Sequence, residues 1–429
     1  MARSSMTTPE AIARTKFSRL SVRGVNSPLE SRARILHVIT DLELGGAETK
    51  LCKLLGAADR SRFSAAIVSL RSGGELQKQI DDLAVPVFNL GVMGSLPGPL
   101  SIWRLLRAVW QFDPDLIHGW MCHGNLAAQV AASFARRKPS VLWSVHQSLY
   151  GFEYDKWTTA SVIRFCARLS DLPVRIIYPS ELSAAQHEAV GYDTRKRIVL
   201  DYGFDSETFR PSQQWRREIR SELGIANDTP LIGLVARYHP TKDHQTFLRA
   251  AALITKVFPQ TQFILCGTHI DDRNQRLGAL VCELVHLLGE RRDVPRIMAA
   301  LDIAASSSRA EGFPNVVGEA MSAGLPCVAT NVSNVTTIIA DTGRIVPAKD
   351  PVALAVALQE LIAISPERRR ALGAAARARI IERYSLELSV GRYEQVYENV
   401  LAEARAGTVQ VRPPPGSESL ALNPKPAPK

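Results

Sequence analysis

Four side chains in the second half of this sequence have the types and surroundings to hold a diphosphate and a polyol, although with 23 Glu in the chain the eight-residue spacing of the two glutamates among them should arise by chance roughly once. Arg237 and Lys242 stand in Arg237-Tyr238-His239-Pro240-Thr241-Lys242, directly after the apolar run Leu231–Ala236. Two cations leaving the end of one strand can clamp a diphosphate through charge-assisted hydrogen bonds. A solvated loop carries the same residue types, so the pair alone leaves both readings open. Glu311 and Glu319 bracket Gly312, Phe313, Pro314, Asn315 and Val316. Glu311 falls in a Gly/Pro loop after the apolar run Ile303–Ser306, and Glu319 about one turn inside the helix that follows. Carboxylates at those places accept hydrogen bonds from vicinal hydroxyls over the strand ends. In the first half, Gly45 and Gly46 join a strand to a helix running from about Ala47 to Leu55. Paired glycines let the backbone approach a ligand, and the helix start offers free N–H groups to phosphate. A plain tight turn explains that pair equally well. His146, in Ser144-Val145-His146-Gln147-Ser148, reads on its own as a strand-end histidine satisfied by local hydrogen bonds.

The elements that must position these residues are short apolar runs alternating with helix-period segments, the pattern of parallel strands buried under helices on both faces. Strands are expected at Ile35–Ile39, Ser64–Ser69, Val85–Asn89, Leu116–His118, Val141–His146 and Arg175–Pro179. A second series is expected at Leu231–Ala236, Gln262–Cys266, Val285–Leu288, Ile303–Ser306, Cys327–Thr330 and Arg344–Val346. A helix over Arg276–Glu283 would meet its strand almost without a loop. Two successive βα series in 429 residues predict two doubly wound domains, with the break near Asp201–Pro211. The expected divisions are a disordered basic extension (1–31), a first domain (32–203), a second domain (204–385), a helix packing back across the two (386–406) and a disordered Pro-rich tail (407–429). Ligands of such folds sit beyond the carboxyl ends of the strands, which puts the site in the cleft between domains.

Composition narrows the function. The six cysteines are scattered without a Cys-x-x-Cys pair and read as small apolar residues of a reduced compartment. No apolar span reaches the length of a membrane helix, and the opening residues lack a secretory h-region, so a cytoplasmic location is expected. The formal charge is +10, with 25 Lys/Arg against 17 Asp/Glu up to residue 200 and 27 against 25 afterwards. A basic first half suits an anionic leaflet. Nucleic acid is not expected as a partner, because no basic stripe interleaved with aromatics occurs.

Taken together and in order, these segments resemble the retaining glycosyltransferase family four, of GT-B architecture. The resemblance spans roughly residues 33–400 and rests on Ile35–Thr40 with Gly45-Gly46-Ala47-Glu48, Trp120-Met121-Cys122-His123-Gly124-Asn125, Tyr178-Pro179-Ser180, Arg237 to Lys242, Glu311 to Asn315, Glu319-Ala320-Met321 and Gly324–Thr330. It implies an α/β fold of two doubly wound Rossmann-like domains facing across a cleft. It also implies a nucleotide-sugar donor, a glycan or lipid-linked acceptor and transfer with retention of anomeric configuration. By the same resemblance Arg237 and Lys242 clamp the diphosphate, Glu311 contacts the donor-sugar hydroxyls and Glu319 the ribose. Gly45 and Gly46 line the donor from the opposite domain, with the Gly46 N–H on the diphosphate, and Gly312 to Val316 lie along it. His146 stands beside the transferred sugar, and Trp120, His123 and Asn125 on the acceptor side. Proton transfer from acceptor to leaving diphosphate, on one face, needs neither cofactor nor metal, and no Asp-x-Asp pair is found that could hold one. An acceptor on a lipid would bring the protein into peripheral contact with the inner membrane face. Tyr202, where Asn often precedes Gly203, Trp120, often histidine, and Thr337, often glutamate, depart from the family pattern. An epimerase or phosphorylase on the same fold, or a silent sugar-nucleotide-binding protein, are the competing readings. No lysine stands in a context suited to pyridoxal phosphate, which argues against the phosphorylase.

Overall fold

The computed structural model describes residues 32–92, 97–149, 157–271, 273, 274, 277 and 281–406; the expected terminal extensions lie outside these. Seven strands form the first sheet: β1 (Ala33–Ile39), β2 (Phe63–Ser69), β3 (Val87–Asn89), β4 (Leu116–Trp120), β5 (Ser140–Ser144), β6 (Arg175–Tyr178) and β7 (Arg197–Val199). All pair in parallel, in the order β3-β2-β1-β4-β5-β6-β7. Six form the second: β8 (Leu231–Val235), β9 (Gln262–Cys266), β10 (Val285–Leu287), β11 (Ile303–Ser306), β12 (Cys327–Thr330) and β13 (Arg344–Val346). Their order is β10-β9-β8-β11-β12-β13, again parallel throughout. Central strands such as β4 and β8 are buried along their whole length, which is why they read as apolar runs rather than alternating ones.

Strand order reverses between β1 and β4 in the first sheet and between β8 and β11 in the second. Helices on opposite faces diverge at such switch points and leave a crevice. Every chemically singled-out segment leaves one of these four strands or the neighbouring β5. Gly45 and Gly46 follow β1, Trp120 closes β4, Arg237 to Lys242 follow β8, and Glu311 follows β11.

Several expectations need correction. β7 was not anticipated; its three residues are half-buried at the sheet edge and too few for a periodic signal. β5 ends at Ser144, so His146 lies in the loop beyond it, whereas β4 runs on to Trp120. Of the helix expected at Arg276–Glu283, residues 276 and 278–280 lie outside the described part, and residues 283 and 284 form a turn leading into β10.

The helix Leu386–Ala406 returns to the first sheet. Its Val390, Tyr393, Val396, Tyr397, Val400 and Leu401 share one core with Ile35, Leu51, Ile67, Leu116 and Trp120. Each fully buried aliphatic side chain there contributes ~1.5–3 kcal/mol. Ion pairs from Arg62 to Glu394 (3.1 Å) and from Arg175 to Glu403 (2.9 Å) fix its register.

The chain crosses between sheets twice, and the two crossings are clipped together. The Phe204 N–H donates to the Tyr384 carbonyl (2.8 Å), and the Leu386 N–H to the Phe204 carbonyl (3.0 Å). A Cβ on Gly203 would lie 2.7 Å from both the Leu386 Cα and the Ser385 carbonyl oxygen. Backbone cannot give way as a flexible side chain does, so Gly203→Ala is expected to lower unfolding free energy by about 1–3 kcal/mol. Chemical denaturation measures this, and a variant as stable as wild type would show that the crossing has slack.

Candidate active site

The second-domain half of the site is built from two loops tied to each other. Lys242 ends a short 3-10 turn (Pro240–Lys242), and Asp243 follows with φ 47°, a left-handed conformation that Asp tolerates better than most residues. Both Asp243 oxygens accept from Arg309 (2.7 Å each), and one also accepts from Thr246 (2.7 Å). Burial opposes ionisation of Asp243, but these hydrogen bonds outweigh it and hold the carboxyl below its usual range. The Arg309 N–H donates to the Thr241 carbonyl (2.7 Å), and the Ser307 hydroxyl reaches the Lys242 and Asp243 carbonyls. The loop after β8 is thereby registered on the loop after β11.

Within this frame Lys242 donates from Nζ to Glu311 Oε1 (2.5 Å), which also accepts from the Ser308 hydroxyl (2.6 Å). Arg237 is exposed at the end of β8. The two cations therefore part company: Lys242 turns onto Glu311, and Arg237 stays at the surface. Lys242, Glu311, Ser306, Ser307, Ser308 and Val316 line a small pocket over the ends of β8 and β11.

Two helices point their N-termini into the cleft from opposite sides. Helix Gly46–Ala57 follows Gly45, and helix Asn315–Ser322 follows Pro314; neither N-cap residue makes a side-chain capping hydrogen bond. A Cβ on Gly46 would stand 3.8 Å from Asn315 Nδ2, so the two helix starts face each other closely. The positive ends of both helix dipoles converge there, an arrangement that favours an anion, while the Asn315 N–H itself donates to the Phe313 carbonyl (2.9 Å). Glu319, one turn into its helix, lies 3.8 Å from Lys53 Nζ of the opposing helix. Burial raises its pKa and Lys53 opposes the rise. Gly312 meets the first domain directly, since a Cβ on it would lie 2.6 Å from the His146 carbonyl oxygen. Phe313, buried beside it, stacks on Tyr202 (4.5 Å between centroids).

On the first-domain side, His146 stacks on Trp120, with ring centroids 4.9 Å apart and planes within 6°. The Trp120 indole is anchored in turn by donating to His37 Nδ1 (3.1 Å). His146 Nδ1 pairs with the Tyr202 hydroxyl at 2.5 Å. Burial, and then the charge of Lys50, lower the His146 pKa to about 3, so the ring is neutral. Trp120 and Asn125, expected on the acceptor side, have no exposed surface. Trp120 therefore meets the cleft side only through its stack on His146. Asn125 clamps the end of β5 by bonding the Ser144 N–H (3.3 Å) and carbonyl (3.2 Å). Of the three, His123 alone is exposed.

Sequence reasoning missed Lys50, Lys53, Tyr202 as a partner of His146, and the Asp243–Arg309 pair. Lys50 carried a readable signal, for it falls on the apolar stripe of Ala47, Leu51 and Leu54, where a solvated lysine does not belong. It also missed Asp113-Pro114-Asp115, an Asp-x-Asp pair. That pair precedes β4 at the end of the sheet opposite the cleft, and its carboxylates face Arg34 and Arg137.

Two Rossmann-like domains with a switch-point site between them define a GT-B protein. Residues 45–203 match the family described as Glycosyl transferase 4-like domain, and residues 229–363 the family described as Glycosyl transferases group 1. The chain belongs to the GT4-type glycosyltransferases. It is 26% identical over 325 residues to the putative glycosyltransferase EpsF of Bacillus subtilis, covering 70% of this chain and 80% of that one. It is 24% identical over 326 residues to the UDP-Gal:alpha-D-GlcNAc-diphosphoundecaprenol alpha-1,3-galactosyltransferase of Escherichia coli, covering 71% and 80%. Among solved structures it shares the fold of Anabaena HepE in complex with UDP and glucose, with a TM-score of 0.74 and 22% identity over 86% of this chain and 100% of that one.

Proposed function

We propose that this glycosyltransferase moves a sugar from a nucleoside-diphosphate sugar to a glycan or lipid-linked acceptor, with retention of configuration and without a metal. The observation that carries this reading is the pair of facing helix N-termini at Gly46 and Asn315, with Arg237 and Lys242 at the neighbouring strand ends. That seat suits a diphosphate whose negative charge grows as the glycosidic bond breaks. The E. coli relative is named for a UDP-galactose donor and HepE was solved with UDP, which supports the donor class. In front-face transfer the acceptor oxygen bonds to the anomeric carbon as the diphosphate leaves, and the acceptor proton passes to the diphosphate. Positioning and charge stabilisation are then the protein's main contributions. Helix dipoles and two cations supply the charge that a metal supplies elsewhere.

The deciding experiment is NMR of the product made from an α-linked donor, with and without chelator. An α-linked product formed at an unchanged rate in EDTA is expected; a β-linked product, or loss of activity on chelation, would reject retention or metal independence respectively. The two glutamates should separate in the same assay. Glu311→Gln is expected to relax discrimination among donor sugars, and Glu319→Gln to weaken binding of the free nucleotide. If nucleotide affinity falls only in the Glu311 variant, the two roles are exchanged.

A lipid-linked acceptor is favoured by one surface. Helix Pro99–Phe112 exposes Leu100, Trp103, Arg107 and Trp110 along one stripe and contains no carboxylate. Indoles with arginines beside them suit the headgroup region of an anionic leaflet, whereas no helix among the described residues is long and apolar enough to cross a membrane. Salt-sensitive sedimentation with anionic vesicles, lost in Trp103→Ala, is the expected result. Binding equal to that on neutral vesicles would dismiss the peripheral contact.

A further inference from the structure

His146 has two ring nitrogens, and the structure accounts for one. Nδ1 meets the Tyr202 hydroxyl at 2.5 Å, whereas Nε2 is buried without a hydrogen-bond partner among the described residues. A neutral imidazole carries one N–H, so the short contact can be made in two ways. If His146 donated from Nδ1, the Tyr202 hydroxyl proton and the Nε2 lone pair would both be left unpaired in the interior. If Tyr202 donates to Nδ1, a single Nε2–H remains to be satisfied. Each buried unpaired group is costly, so the second arrangement is favoured.

A second observation points the same way. Lys50 lies behind Tyr202, with Nζ 4.3 Å from the centre of its ring and 5.0 Å from that of Tyr393. The ammonium donates to the Ser389 hydroxyl (2.9 Å), which donates in turn to the Asp201 carbonyl (3.0 Å). A cation over the face of a phenol draws on its π electrons and makes the hydroxyl a stronger donor. Lys50 thus touches three elements: the helix that begins at Gly46, the crossing segment at Asp201 and Tyr202, and the returning helix at Ser389 and Tyr393.

We propose that Tyr202 and Lys50 are a positioning pair behind His146, holding its imidazole as the Nε2–H tautomer that donates toward an oxygen of the sugar bound in the cleft. The last part of this statement rests on the transfer reading above; the tautomer does not. Neither residue touches the sugar. Charged and titratable groups around Lys50 come from all the elements packed on it: Lys53 on its own helix, Asp201 on the crossing segment, Arg392 and Tyr393 on the returning helix, and His146 beyond Tyr202. Burial foremost brings the Lys50 pKa down to about 7; Asp201 opposes this, and Lys53 and Arg392 add to it. The donor strength of Tyr202 therefore falls as pH rises through neutrality and Lys50 discharges.

The test is long-range 15N–1H correlation of the full chain labelled at histidine, without substrate, with His146 assigned by its loss in His146→Asn. Wild type below about pH 7 should show a pyrrole-like Nε2 and a pyridine-like Nδ1. Tyr202→Phe should shift both signals toward the opposite tautomer or an average, and Lys50→Met should do so partially. A pyrrole-like Nδ1 in wild type, or signals unmoved by Tyr202→Phe, would overturn the proposal. In kinetics Tyr202→Phe should reduce kcat by about 10-fold to 100-fold with the acceptor KM little changed. Lys50→Met should remove the decline of kcat above neutral pH; a decline that persists in that variant would remove Lys50 from the pair. Failure of sugar transfer itself, with the Nε2–H tautomer in place, would count against the transfer reading and leave the tautomer standing.

Discussion

Turnover in Lys242→Ala is expected to fall by about 10²–10³-fold, and in Arg237→Ala by a similar factor, if each cation stabilises the leaving diphosphate as one preorganised donor does. The two variants should part company in stability. Arg237 is exposed, and its loss should leave the melting temperature unchanged. Lys242 and Glu311 form a 2.5 Å ion pair whose side chains are 21% and 12% exposed, and truncating the lysine takes a cation from a largely enclosed carboxylate. A loss on the order of 1–3 kcal/mol follows from removing a charge-assisted hydrogen bond from that group. Adding Glu311→Gln to Lys242→Ala should recover stability without recovering turnover. Single-turnover kinetics on the cognate donor, paired with thermal melts, would read both effects. Near-normal turnover in either variant would take that cation out of the mechanism.

Lys50→Met should make the folded state more stable at neutral and acidic pH, at the expense of activity. The folded-state pKa of Lys50 is about 7 against an ordinary 10.5, chiefly because the ammonium is buried. Between those values the unfolded chain binds more protons than the folded one, so wild-type stability rises with pH across that window. Below pH 7 both states are charged, and the whole penalty of burying the charge is present. The difference of about 3.5 pH units (10.5 less 7) corresponds to a few kcal/mol, on the order of 4–5 before the retained cation–π contacts are lost. Urea melts of wild type and variant should therefore converge by about 2–3 kcal/mol from pH 7 to pH 9. Parallel curves would place the Lys50 pKa outside that window.

Most of this fold was legible because buried parallel strands impose an unbroken apolar run. Of the β strands, β7 escaped. Three half-buried residues at a sheet edge leave no run to read. The positions of Gly46, Arg237, Lys242, Glu311 and Glu319 beyond the carboxyl ends of strands or in the following helix were readable for the same topological reason. What they touch was not. That Lys242 turns to Glu311 while Arg237 does not, and that Asp243 rather than a glycine takes the left-handed turn, depend on Arg309 arriving from a different loop. The family resemblance put Trp120 and Asn125 on the acceptor side, and both are fully buried. Trp120 is covered by Tyr393 of the returning helix, and Asn125 is packed against Gly119 and Ser144. The pairing of Lys50, Tyr202 and His146 unites residues far apart in the chain and carries no periodic trace.

The return of the last helix to the first sheet also has a consequence during synthesis. On the ribosome, β1 to β7 emerge early, yet the surface over Ile35, Leu51, Leu116 and Trp120 stays open until Val390 to Leu401 leave the exit tunnel. The sheet made second can close its own core before the sheet made first. A nascent chain halted near residue 385 would therefore present an apolar face to chaperones or to other nascent chains, and proteases would find the N-terminal half the softer of the two. Reporter fusions that interrupt the chain within Leu386–Ala406 should fail through aggregation, although every residue of the binding cleft is already present.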